Sequence, residues 1–199
     1  HSISPLMHNE SFRLLGLDYV YLCFDVNEET LPAAVAGLKT CGIRGFNLTM
    51  PNKNKIVELL DELSPEAQLI GAVNTVLNDN GKLIGYNTDG YGFMQSVRDA
   101  GHDITGKNIT VMGVGGASMA ICAQSALDGA ASVHIFARRT SRYWNRTQKF
   151  AENLSAKTGC QVCLFDNDDH TALRNSIAQS YLLINATLSL IHISEPTRH

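Results

Sequence analysis

The chain has 199 residues, of which 44% are hydrophobic and 18% charged, a composition that buries a core and is too apolar for disorder. Sixteen basic and nineteen acidic side chains leave a net charge of −3, which argues against nucleic-acid binding through bulk charge. No apolar run reaches the roughly 20 residues of a transmembrane helix. The N-terminus has no signal-peptide pattern, so a cytoplasmic protein without a membrane partner is expected. The chain opens at His1 rather than Met and is expected to be a fragment.

Apolar runs and helical patterns alternate from end to end. Ser4-Pro5 predicts a helix to about Leu15, with Ser4 as its N-cap and Gly16 as its stop. Tyr19–Val26 reads as a strand, Thr30–Thr40 as a helix, Gly45–Met50 as a short strand and Asn52–Leu60 as a helix. Ala72–Leu77 and Lys82–Tyr86 flank Asn80-Gly81, a strong hairpin signal, and a helix is expected from about Gly90 to Ala100. Strands are then expected at Asn108–Met112, Val133–Ala137, Val162–Phe165 and Tyr181–Asn185. Helices are expected between them at Ala117–Leu127, Ser141–Lys157 and Thr171–Gln179. This alternation implies an α/β protein with parallel sheets. The polar, glycine-bearing stretch Ala100–Lys107 suggests a domain boundary, so that residues 1–100 form one α/β domain and 101–187 an incomplete Rossmann-type domain.

Cysteines stand at 23, 41, 122, 160 and 163. Cys160 and Cys163 have the spacing of half a zinc site or of a redox pair. They lie in a strand-like run, however, where residues i and i+3 point to opposite faces. Reduced core cysteines and no metal are expected.

Gly113-Val114-Gly115-Gly116-Ala117-Ser118 comes after a strand and opens a helix, the context of a dinucleotide-binding turn. Such glycines turn the chain sharply and let backbone N–H groups and the helix N-terminus approach a pyrophosphate. Ser118 stands where the common fingerprint has its third glycine. The next strand ends in Ala137-Arg138-Arg139-Thr140-Ser141-Arg142, without the acid that an NAD-preferring fold places on the ribose. Guanidinium groups suit a 2′-phosphate, so NADP is expected, with NAD as the lesser choice. In the first half, Ser2 and Ser4 precede a helix, Thr49 ends a strand, Lys53 lies in the first turn of a helix, and Asn74 and Asp89 flank the hairpin. Each has an ordinary structural account as a cap or a strand end.

Together these segments resemble the shikimate dehydrogenase family, including its shikimate/quinate branch. The matching motifs are HSxSP at His1–Pro5, NxTxPxK at Asn47–Lys53, AVNT at Ala72–Thr75, GYNTDG at Gly85–Gly90 and GxGGAS at Gly113–Ser118. The resemblance implies an N-terminal substrate domain with a mostly parallel sheet, a Rossmann NAD(P) domain and a substrate cleft between them. It implies reduction of 3-dehydroshikimate to shikimate on the route to chorismate and the aromatic amino acids. Ser2 and Ser4 would bind the substrate carboxylate, and Thr49, Lys53, Asn74 and Asp89 its ring oxygens. Lys53 and Asp89 would be the catalytic pair, with Lys53 read as an acid/base rather than only a fixed donor. Residues 113–118, Ala137, Arg138, Arg139, Thr140, Arg142 and Thr187 would bind the cofactor. Arg138 and Arg142 fall on the two arginines of the family's NADP segment, and Ala137 replaces its Asn. A homodimer is allowed for, and no nucleic-acid partner is expected.

Two departures stand out. The family has a strand before HSxSP, and it continues after Ala186-Thr187 with further Rossmann strands. Here Leu188–His199 (LSLIHISEPTRH) matches nothing in the family and resembles the translation of a sequencing adaptor, so a foreign tail and an inactive fragment are expected. Two alternatives remain: a quinate/shikimate dehydrogenase, towards which MPNK and the double arginine lean, and a non-catalytic nucleotide- or substrate-sensing domain. Retention of Lys53 and Asp89 argues against the sensor.

Overall fold

The computed structural model describes residues 2–187; the expected foreign tail and His1 lie outside them. The chain begins with α1 (Ser4–Leu14), α2 (Leu31–Thr40), β1 (Gly45–Asn47) and α3 (Asn52–Lys55), the last continued by a 3-10 turn at Ile56–Leu59. Next come β2 (Glu62–Leu63), α4 (Pro65–Ile70), β3 (Thr75–Asp79), β4 (Lys82–Tyr86) and α5 (Asp89–Asp99). Neither β2 nor α4 is anticipated from the sequence. The first sheet has the order β1-β3-β4-β2. It is mixed rather than mostly parallel: β1/β3 and β3/β4 are antiparallel, and β2/β4 is parallel. The hairpin depends on Asn80 (φ 52°) and Gly81 (φ 92°), since a two-residue turn of this kind needs left-handed backbone at both positions. Gly81 N also donates to Asn78 Oδ1 at 2.8 Å.

The expected strand at Tyr19–Val26 does not form. A strand exists through a ladder with a neighbour, and no described strand lies beside this segment. The Asn9 side chain instead takes both backbone groups of Tyr21, accepting from its N–H at 2.7 Å and donating to its C=O at 3.0 Å. His8 stacks on the Tyr21 ring at 4.5 Å, while Val20, Leu22 and Phe24 remain exposed. The helix expected at Asn52–Leu60 tightens after one turn into 3-10 geometry. Ser4 is the first helical residue and Ile3 the cap, because Ser2 Oγ takes the N–H of Ser4 at 3.2 Å.

The second half alternates strictly: β5 (Asn108–Met112), α6 (Gly116–Leu127), β6 (Ser132–Ala137), α7 (Trp144–Thr158), β7 (Gln161–Asp166), α8 (His170–Gln179) and β8 (Leu182–Asn185). All pairings are parallel, in the order β7-β6-β5-β8. The order reverses at β5, so the crevice beyond the strand ends between β5 and β8 is a topological switch point, where open α/β sheets bind ligands. Helix α7 begins at Trp144 rather than Ser141, because residues 138–143 form a turn in which Ser141 N donates to Arg138 O. Two cores result. The smaller joins Leu31, Val35, Ile56, Ala67, Val73, Val76 and Leu83. The larger surrounds β5 and β6, and it also takes in Ile70 of α4 and Met94 and Val97 of α5. Helix α5 is thus covalently next to the first sheet but packed on the second.

That packing is unusually close. Every residue from Ser118 to Ala126 of α6 is buried. A Cβ on Gly90 would lie 2.2 Å from Ala120 O and 2.9 Å from Gln124 Cβ. Gly90→Ala is therefore expected to lower stability by about 1–3 kcal/mol through overpacking. On the same helix Gly92 faces open space. Gly92→Ala should be neutral or stabilising by about 0.5–1 kcal/mol. Paired thermal denaturation of the two variants checks this, and equal melting points would refute the close-contact account.

A polar cluster joins α8 to the second sheet. Thr110 Oγ1 shares hydrogen bonds with Ser176 Oγ at 2.6 Å and Ser180 Oγ at 2.5 Å, and His134 Nδ1 meets Ser176 Oγ at 2.9 Å. Burial holds His134 below its ordinary value of 6.5, so the folded chain binds its proton more weakly than the unfolded chain does. Stability should fall as pH drops below 6.5 and the unfolded state takes up that proton first. His134→Gln should shrink this fall, as read from denaturant midpoints on either side of that pH.

Candidate functional site

Three of the expected substrate-side residues come together where the first hairpin meets α5. Thr75 and Tyr86 form the last pair of the β3/β4 ladder, which leaves Asn74 and Asn87–Asp89 just beyond it. Asn74 N donates to Tyr86 O at 3.0 Å and fixes the start. The buried Asn74 side chain then brackets Thr88 and Asp89. Its Nδ2 donates to Asp89 Oδ1 at 2.7 Å and to Thr88 Oγ1 at 3.0 Å, and its Oδ1 accepts from Thr88 N and Thr75 Oγ1, each at 3.0 Å. Asn87, also buried, donates to Ala72 O at 3.0 Å.

Lys53 arrives from α3, which is tied to this strand by a hydrogen bond from Val73 N to Lys53 O at 2.8 Å. Its Nζ lies 2.6 Å from Asp89 Oδ2, with side-chain exposures of 22% and 39%. Both carboxylate oxygens are therefore engaged, and the side chain is held in one orientation. Asp89 opens α5, where the helix dipole favours an anion. An ammonium has three donors, and this ion pair uses one, so Nζ can donate to a further oxygen at a partly open surface. Thr75 and Thr88 are not singled out by the sequence; only their place inside AVNT and GYNTDG could have flagged them.

Ser2, Ser4 and Thr49 make no hydrogen bond to this trio among the described residues. Burial raises the Tyr21 phenol above its usual pKa, and a side-chain hydrogen bond with Ser4 offsets part of that rise. Thr49 accepts from Asn52 N through its carbonyl at 3.0 Å and is exposed. A cavity of about 220 Å³ lined by Arg98, His102 and Asp128 sits at the N-terminal end of the second sheet and contains none of these groups.

The glycine turn lies at the opposite, C-terminal end. Gly113 has φ 107°, and a Cβ there would meet Ala186 O at 2.7 Å, so its conformation and its seat against the end of β8 both require glycine. Gly115 caps α6 without any side-chain bond, and the space over Gly115 and Gly116 is open. Ser118 Oγ donates to Gly113 O at 2.6 Å and pins the turn where the usual fingerprint has a third glycine. Val114 packs against the larger core, and Ala117 is exposed. Thr187 stands beside the turn, its Oγ1 2.8 Å from Asn185 Oδ1. An open backbone at the start of a 12-residue helix fits a dinucleotide pyrophosphate. At the end of β6, Ala137 is buried while Arg138, Arg139, Thr140 and Arg142 are exposed. None of these arginines is in an ion pair among the described residues.

Burial pushes the Cys122 thiol up to about 12 and the Cys160 thiol up to about 11, so both are held as neutral thiols within the fold. Cys163 lies in β7 and is half-buried.

Residues 1–76 match the family model of the shikimate dehydrogenase substrate binding domain. Over 187 residues the chain is 51% identical to the shikimate dehydrogenase (NADP(+)) of Listeria innocua, a match covering 94% of this chain and 64% of that protein. A crystal structure of shikimate 5-dehydrogenase from Listeria monocytogenes in complex with shikimate and NAD aligns with a TM-score of 0.91 at 50% identity, over 94% of this chain and 64% of that one. The ligand-free 5-ketofructose reductase of Gluconobacter sp. strain CHM43 aligns with a TM-score of 0.81 at 33% identity, with coverage of 94% and 64%. The chain thus spans less than two thirds of the length of these relatives. Half of its residues are thus identical to those of a curated shikimate dehydrogenase along nearly its whole extent, and its first 76 residues match that family's substrate-domain model.

Proposed function

We propose that the chain carries the substrate-binding part and much of the nucleotide-binding part of an NADP-dependent shikimate dehydrogenase, which reduces 3-dehydroshikimate to shikimate reversibly in the cytoplasm. Residues 1–100 would hold the substrate and 101–187 the dinucleotide. The observation that carries this reading is the Lys53–Asp89–Asn74 unit, built on the helix that packs against the nucleotide helix.

Ketone reduction needs a hydride on one carbonyl face and a proton at the oxygen. A bound nicotinamide supplies the hydride. Lys53 Nζ donates to the carbonyl oxygen, stabilises the charge that develops there and delivers the proton. Asp89 Oδ2 holds Nζ in place at 2.6 Å, and Asn74 holds Asp89 from its other oxygen at 2.7 Å. In the reverse direction the same nitrogen takes the proton back. Ser2 and Ser4 would receive the substrate carboxylate and Thr49 a ring hydroxyl, once the cleft around them is complete. Lys53→Ala in the full-length protein should lower kcat by about 10²–10⁴-fold. KM for shikimate should change much less, because one hydrogen bond contributes about 1 kcal/mol of net binding. A loss confined to KM would reduce Lys53 to an anchor.

The pyrophosphate would lie over Gly115 and Gly116 and at the start of α6, beside Gly113, Val114, Ala117, Ser118 and Thr187. The arginine loop favours NADP. The Listeria innocua relative is named for NADP(+) and the Listeria monocytogenes structure holds NAD, so both nucleotides occur among relatives. In this chain no carboxylate side chain occurs between β6 and Asp166 except Glu152 in α7, and Glu152 accepts from Gln148 instead. Arg138→Ala with Arg142→Ala should cut kcat/KM for NADP at least tenfold, from contacts worth about 1.5–3 kcal/mol each. The value for NAD should hardly change, and an unmutated enzyme that prefers NAD would contradict the loop's role. The 5-ketofructose reductase neighbour favours including other polyhydroxy ketones, and quinate, in the same steady-state assay.

A further inference from the structure

The turn after β6 and the start of α7 carry four arginines within nine residues: Arg138, Arg139, Arg142 and Arg146. The first turn of α7 has no acidic residue, and no arginine here is in an ion pair among the described residues. Asp166 is in register with Ala137 on the adjacent strand, but its carboxylate accepts from Asp168 N at 3.2 Å.

Two of the arginines are held by aromatic rings. The Arg139 guanidinium carbon lies 4.8 Å from the centre of the Trp144 ring, and that of Arg142 lies 4.7 Å from the centre of the Tyr143 ring. Arg142 Nη2 also donates to the Tyr143 hydroxyl at 2.6 Å. Both rings sit at the start of α7, which is itself fixed through Ser141: Tyr143 N donates to Ser141 Oγ at 3.3 Å and Trp144 N to Ser141 O at 3.0 Å. The physics differs from that of a salt bridge. A carboxylate would neutralise the guanidinium and occupy its donor fork. An aromatic face restrains the guanidinium while leaving the charge and in-plane N–H groups free for an incoming dianion. Restraint before binding lowers the ordering cost at binding.

We infer that Tyr143 and Trp144 are the positioning residues that preset Arg142 and Arg139 for the 2′-phosphate of the nucleotide. The inference rests on the proposed NADP reading of the same loop. It also makes Trp144, the one tryptophan of the chain, an internal reporter of phosphate binding.

The test is a titration of the chain with 2′,5′-ADP, and with 5′-AMP as the analogue lacking the 2′-phosphate, followed by tryptophan emission and by calorimetry. The 2′,5′-compound should change the emission saturably and bind at least tenfold more tightly than 5′-AMP. Trp144→Leu and Tyr143→Leu should each weaken 2′,5′-ADP by about two- to fivefold, the range of an exposed cation–π contact. 5′-AMP affinity and the melting point should stay unchanged, and Trp144→Phe, which keeps a ring face, should restore most of the loss. Equal weakening of both nucleotides, or no weakening, overturns the inference. If Arg138→Ala with Arg142→Ala leaves the preference for 2′,5′-ADP intact, or neither nucleotide binds, the nucleotide reading itself fails. If that double variant abolishes the preference while Trp144→Leu does nothing, only the role of the rings is lost.

Discussion

The backbone contact between α5 and α6 connects the two parts of the candidate site. Gly90 packs over Ala120, and its chain neighbour Asp89 grips the Lys53 ammonium. Ala120 lies four residues along α6 from Gly116, roughly 6 Å from the helix end that faces the proposed pyrophosphate site. One pair of adjacent residues therefore sets the Lys53–Asp89 pair relative to α6. A residue with any side chain in place of Gly90 would break that relation at its source. The small side chains of α6 serve the same end: alanines, serines and a cysteine let neighbours approach on every side of a helix that is buried from Ser118 to Ala126.

Much of this architecture is legible in the sequence. The central strands β5 and β6 of the second sheet read as apolar runs because they are covered on both faces. The hairpin is legible from Asn80-Gly81 because few other residue pairs accept two left-handed conformations in succession. The elements that escape have non-local causes. Tyr19–Val26 has the composition of a strand, yet strand formation depends on a neighbour that composition does not report. Helix α4 and β2 are too short for periodicity to detect, at six and two residues. Ser4 reads as a cap because capping is inferred from residue type, whereas Ile3 holds the cap position and the Ser2 hydroxyl accepts from the Ser4 N–H.

The candidate site divides in the same way. The sequence singles out Lys53, Asn74 and Asp89 as residues without a core role, and the fold brings these three into one hydrogen-bonded unit. Spacing could not reveal that Asn74 donates to the aspartate from the side opposite the lysine, or that Thr75 and Thr88 occupy the asparagine's remaining oxygen. The arginine loop is recognisable from the missing carboxylate. Its aromatic backing is not, because Tyr143 and Trp144 read simply as the beginning of a helix.

The closeness of Gly90 to Ala120 also constrains how the two sheets can move. Sliding α5 along α6 by one residue, about 1.5 Å, would carry the Asp89 or Tyr91 side chain into the space where even a methyl group would stand 2.2 Å from a carbonyl oxygen. Met94 and Val97, buried farther along α5 in the larger core, hold the helix to the second sheet beyond that point. Sliding of α5 along α6 is thus closed, and α5 stays with the second sheet. Asp89, the first residue of that helix, is tied back to the first sheet by Asn74 and to α3 by Lys53. The junction between the two sheets therefore runs through the Lys53–Asp89–Asn74 unit itself, and any change in the angle between them is felt there first.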